Sequence, residues 1–150
     1  MSAQPRFAQR HGNLVAAIAT VACCDIAMEA ASMLQSAGID VEIIDVRTLL
    51  PFDVHSSIRD SVGKTSRVLF LDEDCPGGMT AYMMQDVLER QSAFDLLDGP
   101  PRTLSATAHR PAYGSDGDYF SKPNREQIVE AVYQMMADSD PGRFPPGALT

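Results

Sequence analysis

"VEIIDVRTLLPFD", residues 41–53, is the stretch on which the fold turns. Val41, Ile43, Ile44 and Val46 put apolar side chains on both faces of a short extended run, as in a strand covered by helices on both sides. The run then meets Arg47, Thr48 and Pro51, which end it, and Asp53, a residue type that caps a following helix. Val54, Ile58 and Val62 recur every four residues after that and predict a short helix with one apolar stripe. A buried strand leading through a short loop into a helix is half of a parallel βαβ unit.

The same alternation extends in both directions. Upstream, "NLVAAIATVA" (13–22) has the length and composition of a strand, and Ile26, Ala30, Met33, Leu34 and Ala37 then fall at helical spacing. Asp25 is the predicted N-cap of that helix and Gly38 its C-terminal stop. Downstream, "RVLFLDE" (67–73) predicts a third strand, and "MTAYMMQDVLERQ" (79–91) a helix that turns Met83, Met84, Val87 and Leu88 to one side. "RTLSA" (102–106) predicts a fourth strand, and Asn124 caps a last helix over 125–137. Together these elements predict an α/β fold, a three-layer α/β/α sandwich around a mostly parallel sheet of about five strands with right-handed crossovers. The domain is expected over 13–137, between a flexible N-terminal segment (1–12) and a flexible tail (138–150).

Composition narrows the function. A chain of 150 residues is the size of one domain, and no apolar run approaches the roughly 20 residues of a membrane span. A net charge of -8 with no offsetting basic cluster speaks against nucleic acid. "MSAQPRFAQRHG" lacks the apolar core of a secretory signal, and three cysteines, two of them adjacent, suit a reducing compartment. The chain is expected to be cytoplasmic.

Ligands of parallel sheets sit at the carboxyl ends of the strands, which directs attention to 23–25, 47–53, 73–78 and 107–113. Cys23 and Cys24 lie where a helix dipole activates a thiol, but small buried residues packing a turn account for them more simply. Cys75 with His109 would make a nucleophile and base, without the third group that orients the base. Asp72, Glu73 and Asp74 are oxygen ligands for a divalent cation or merely solvated carboxylates, and spacing supplies no further ligand. Gly77 and Gly78 do not sit in a phosphate-loop spacing and read as a tight turn. The residues therefore specify a fold without a complete active site.

Several segments, taken in order from about Leu14 to Met136, resemble the C-terminal domain of the transketolase superfamily. They are most like that of the beta subunit, or the beta-like half of a fused chain, in the decarboxylating component of 2-oxo acid dehydrogenase complexes. "VEIIDVRTLLPFD" is similar to the family's strand followed by Asp-Leu-Arg-Thr and Leu/Met-Asp. "SVGKTSRVLFLDED" (61–74), "PGGMTAYMMQDVLERQSAFDLLDGPPRTLSA" (76–106) and "KPNREQIVEAV" (122–132) resemble the elements that follow. The chain departs from the pattern at "TVACCD" (20–25), where the family has Thr-Tyr-Gly. It departs again at "HRPAYGSDGDYF" (109–120), in place of Pro-x-Pro-Tyr/Phe-Ala.

The resemblance implies oxidative decarboxylation of pyruvate or a branched-chain 2-oxo acid, with acyl transfer to lipoamide. Thiamine diphosphate and its magnesium ion would bind between two other domains, so no catalytic, cofactor-binding or metal-binding residue is assigned here. The domain would serve subunit association and docking, with the thiamine diphosphate-binding domains or alpha subunit, a second copy, and the binding domain of a dihydrolipoyl acyltransferase as partners. Asp98 in "LLDGP" (96–100) matches the Leu-Asp-x-Pro aspartate at the docking surface; a turn-stabilising Asp is the alternative. Arg47, a forked donor at a strand end, is expected to tie its loop to the carboxylates at 72–74 or to a neighbouring subunit. His109, Arg110 and Tyr113 are expected at an active-site entrance or subunit contact. The same domain of transketolase, deoxyxylulose-phosphate synthase or 2-oxo acid:ferredoxin oxidoreductase is the first alternative. The second is a stand-alone α/β binding or regulatory module using the acidic strand end.

Overall fold

The structure, a computed structural model, describes residues 14–110, 113–114 and 117–148. Strand β1 (Leu14–Thr20) is followed by α1 (Val21–Gln35), β2 (Asp40–Val46), α2 (Ser57–Thr65) and β3 (Val68–Leu71). Helix α3 (Met79–Gln85) continues as a π-helical turn (Asp86–Arg90), and a 3-10 turn (Phe94–Leu96) leads to β4 (Arg102–Leu104). A short α4 (Gly117–Ser121) and α5 (Arg125–Ser139) complete the order. Among the described residues the sheet has four strands, in the order β2-β1-β3-β4 and all parallel, where about five were expected.

Strand periodicity splits the core into two layers. Val15, Ala17 and Ala19 of β1 pack with Leu69 and Leu71 of β3 against α1 and α5. The alternate residues, Ala16, Ile18, Val68 and Phe70, face α2, α3 and the π-turn through Ile58, Val62, Met83 and Val87. β1 and β3 are therefore the strands buried on both faces. β2, expected to be covered on both sides, is an edge strand: Val41, Ile43 and Ile44 are half-buried and Asp45 is exposed. Apolar character on both faces reports contact with helices, and it does not report whether a strand has one neighbour or two.

Helix ends follow local chemistry with two corrections. The chain turns at the last residue of β1, so α1 starts at Val21 with Thr20 as N-cap, and Asp25 lies inside the helix rather than capping it. Gly38, at φ 74°, closes α1 as predicted: its N–H donates to Gln35 O and that of Ile39 to Leu34 O. The second correction is at α2, which begins at Ser57, so Val54 is 66% exposed and outside the apolar stripe. Asp53 still caps it, its two carboxylate oxygens accepting the N–H groups of Ser57 (2.9 Å) and Ile58 (3.0 Å). Asn124 and Gln127 form a full capping box at α5.

The segment after α5 differs from the loose tail that composition predicts. Phe144 is 3% exposed, its ring edge-on to Tyr133 at 6.2 Å, and the Tyr133 hydroxyl donates to Pro145 O. Residues 1–12, read as a flexible segment, lie outside the described residues.

Candidate functional site

The strand order determines where a crevice can open. After β1 the chain crosses to β2, whereas after β3 it crosses to β4, so the connections leaving the adjacent strands β1 and β3 diverge. At such a switch point helices part over the carboxyl ends of the strands. A crevice of about 500 Å³ lies there, lined by Thr20, Val46, Arg47, Thr48, Leu49, Asp72, Glu73 and Met79.

Its floor is a closed hydrogen-bond arrangement. Asp72 has no exposed surface, and its carboxylate accepts the Thr20 hydroxyl at 2.8 Å and the Asp74 N–H at 3.1 Å. This links the ends of β1 and β3 and explains why Thr20, the N-cap of α1, makes no side-chain capping bond. Glu73 pairs with Lys122 at 3.1 Å, and that hydrogen bond, then the charge of Glu73, pushes the lysine above its ordinary pKa. The side chains of Asp72 and Glu73 thus already have internal partners. Among the described residues no three His, Cys, Asp or Glu side chains are grouped as metal ligands.

Arg47 stands at the rim with 81% of its side chain exposed. It does not reach residues 72–74. Its Nε donates to Asp45 Oδ2 at 2.7 Å, two residues back near the end of β2. That bond holds Asp45 below the usual carboxylate range and raises Arg47. Burial pushes the Cys23 and Cys24 thiols up to about 11, which removes the basis for an activated thiol and agrees with a packing role. Cys75 is exposed, and the ring of His109 bonds the Thr107 hydroxyl (2.7 Å) and Arg110 O (2.9 Å) rather than a thiol.

The five residues singled out from the sequence fall in three places. His109, Arg110 and Tyr113 follow β4, and the Arg110 guanidinium lies 4.6 Å from the centre of the 86%-exposed Tyr113 ring. Arg47 follows β2, at the other edge of the sheet. Asp98 precedes β4 and so lies at the opposite, amino-terminal end of the strands. There its carboxylate accepts Arg67 Nη2 at 2.7 Å, while Arg67 Nε donates to Ser139 Oγ at 3.0 Å. The Arg67 side chain is 8% exposed and that of Asp98 30%. A small cleft of about 120 Å³ adjoins the pair.

Sequence reasoning missed Arg67 and Thr20. Each has a weak signal: an arginine immediately before a wholly apolar strand, and a hydroxyl residue at the end of another, opposite an acidic strand end.

The geometry defines a parallel α/β domain with a crevice at the strand-end rim, and comparison with known proteins places it in a family. The sequence matches "Transketolase, C-terminal domain" over residues 7–128, and the chain belongs to that family. It is 36% identical over 106 residues to the pyruvate dehydrogenase E1 component subunit beta of Rhizobium meliloti, covering 71% of this chain and 23% of that protein. It is 38% identical over 109 residues to the chloroplastic subunit beta-2 of the same enzyme from Arabidopsis thaliana, covering 72% and 26%. The beta subunit of the acetoin:2,6-dichlorophenolindophenol oxidoreductase of Bacillus subtilis is 32% identical over 133 residues, covering 87% and 37%. Among solved structures, a split gene transketolase described as an inactive beta4 tetramer superposes with a TM-score of 0.62 at 22% identity. That match covers 85% of this chain and 40% of the transketolase chain, and it supports the fold. The chain thus spans less than two-fifths of the length of these curated relatives.

Proposed function

We propose that this chain works as the C-terminal domain of a thiamine diphosphate-dependent 2-oxo acid dehydrogenase, serving subunit association and partner docking rather than catalysis. The observation that carries this is the likeness, at 36% and 38% identity over most of the chain, to beta subunits of the pyruvate dehydrogenase E1 component. The reaction of the whole assembly is oxidative decarboxylation of pyruvate or a branched-chain 2-oxo acid, with the acyl group passed to lipoamide. The isolated chain is expected to be inactive in it.

Thiamine diphosphate and magnesium belong, in this reading, to other domains. For the diphosphate itself the charges support that reading: Asp72 and Glu73 are anions, and three of their four carboxylate oxygens already meet the Thr20 hydroxyl, the Asp74 N–H and Lys122. No residue of this domain is proposed to hold the cofactor or its magnesium ion.

Arg47 at one end of the rim and His109, Arg110 and Tyr113 at the other are exposed and are proposed to meet a second copy, the alpha subunit or the cofactor-binding domains. The tetrameric beta assembly of the split transketolase supports self-association. Asp98, still 30% exposed beside its arginine, is proposed to receive a basic residue of a dihydrolipoyl acyltransferase binding domain. A net charge of -8 speaks against nucleic acid. Among the described residues no helix is long and apolar enough to cross a membrane. Three free cysteines suit a reducing compartment such as the cytoplasm.

The test is the solution mass of the chain by light scattering, alone and mixed with that binding domain. A self-associating chain that binds it, with assembly weakened in Arg47→Ala and binding weakened in Asp98→Asn at unchanged fold, supports the proposal. A monomer that binds nothing overturns it and returns the domain to the wider superfamily, transketolase included.

A further inference from the structure

The loop between β2 and α2 has two sides. Arg47, Thr48 and Leu49 line the strand-end crevice, whereas residues 50–54 line a second hollow of about 500 Å³. Tyr82, Asp86 and Arg90, four residues apart along α3 and its π-helical turn, form the facing wall. Leu50 is 84% exposed, Val54 66% and Tyr82 36%. Three large apolar side chains left to water around one hollow mark a protein contact, unlike a surface leucine standing singly. The loop that carries them is held in place. Phe52 is buried and lies edge-on to the Tyr82 ring at 5.9 Å, and the Tyr82 hydroxyl donates to Leu49 O at 3.2 Å. Asp53 fixes the far end of the loop by capping α2 through both carboxylate oxygens. Leu50 and Val54 are thus presented on an ordered backbone, which lowers the entropy cost of a contact made through them.

We infer that a second copy of this chain fills the hollow, the two copies meeting across a two-fold axis with Leu50 of each set into the hollow of the other. The inference rests on the self-association proposed above and supplies its apolar centre, three residues along the same loop from Arg47. What points to a second copy is self-complementarity. A two-fold contact uses the same patch on both subunits, so that patch must both project and receive. Here Leu50 and Val54 project beside the hollow that would receive them. The charges suit an apolar contact as well. Asp86 accepts Arg90 Nη1 at 2.6 Å and Gln91 Nε2 at 2.9 Å, and Asp53 is taken by the two N–H groups of α2. Closing the contact therefore buries no unpaired carboxylate at the hollow. A basic partner, which the net charge of -8 would otherwise attract, meets only paired carboxylates here. A small polar ligand fits poorly for the same reason, since the polar groups of the hollow bond one another rather than converge on a guest.

The test uses the full chain, its mass followed by sedimentation velocity over a range of concentrations and its amide shifts followed on dilution. A dimer is expected, with residues 50–54 and 82–91 shifting together because each copy contributes both. Leu50→Asp should weaken the dimer about tenfold or more at an unchanged circular dichroism spectrum, and Val54→Asp, at a second exposed position, should do the same. Phe94→Asp, an equal change at a 63%-exposed side chain that does not line the hollow, should leave the dimer unchanged. A dimer that survives both Leu50→Asp and Val54→Asp overturns this inference while leaving the self-association reading to stand on Arg47, with another occupant for the hollow. Equal weakening by Phe94→Asp, which would mean repulsion by added charge alone, overturns it too, as do dilution shifts confined to other residues. A monomer at every concentration removes the self-association reading itself and this inference with it.

Discussion

Removing the Asp98 carboxylate should destabilise the domain whether or not Asp98 also docks a partner. Arg67 is the most buried cation that forms an ion pair among the described residues, at 8% side-chain exposure, and Asp98 at 2.7 Å is its charge partner. Truncating one member of a fully buried pair costs about 3–5 kcal/mol, because the other charge is left without compensation. Two features lower this value here: Asp98 is 30% exposed, and Arg67 keeps its bond to Ser139. Asp98→Ala should therefore cost about 2–3 kcal/mol. At this chain length each kcal/mol lowers the melting temperature by about 2–4 °C, so a drop of roughly 5–10 °C is expected in thermal unfolding followed by circular dichroism. Arg67→Met combined with Asp98→Ala should be less damaging than the sum of the single changes, since no orphaned charge remains, with a coupling of about 1–2 kcal/mol. An Asp98→Ala protein that melts within about 1 °C of the parent, or strictly additive single and double changes, would refute this reasoning.

Phe144→Ala should cost about 3 kcal/mol, as for other buried aromatic truncations, and would leave the midpoint unmoved if the segment after α5 were not part of the core. Alkylation at pH 8 should label Cys75 first and Cys23 and Cys24 slowly, because the latter two thiols stand near 11. Cys75→Ser should remove the fast phase, and a fast second thiol would contradict the packing seen here. Glu126 is held down to about 2, first by the Tyr119 hydroxyl at 2.6 Å and then by Arg125. Its folded value lies below the ordinary 4.5, so its contribution to stability is present above that pH and is lost as the pH falls toward 2. Tyr119→Phe should move the carboxyl midpoint, followed by NMR, back up; a midpoint of 4.5 in the parent protein would count against the bond.

Most of the fold was legible where one residue's chemistry decides a local event. Gly38 in a left-handed turn, Asn124 with Gln127, and the side shared by Met83, Met84, Val87 and Leu88 were all readable from spacing. The misses are events set by neighbours distant in sequence. Asp25 was a reasonable cap until Thr20, itself engaged by Asp72 52 residues away, became the residue at which α1 begins. Of the two partners expected for Arg47, the acids at 72–74 of its own chain or a neighbouring subunit, the first is not met. In the fold, Asp72 and Glu73 are taken by Thr20 and Lys122, and Arg47, just past the end of β2, meets Asp45 near the end of that strand.

The order of elements and their two periodicities were determined by the sequence itself, since alternation and four-residue spacing are local properties that any parallel α/β arrangement must satisfy. The tertiary structure alone decided which strand is an edge, that the five chosen residues lie in three places, and that Arg67 and Asp98 form a pair. Strand order brings together side chains separated by tens of residues, and the burial that makes a charge costly or useful exists only once the layers have closed over it.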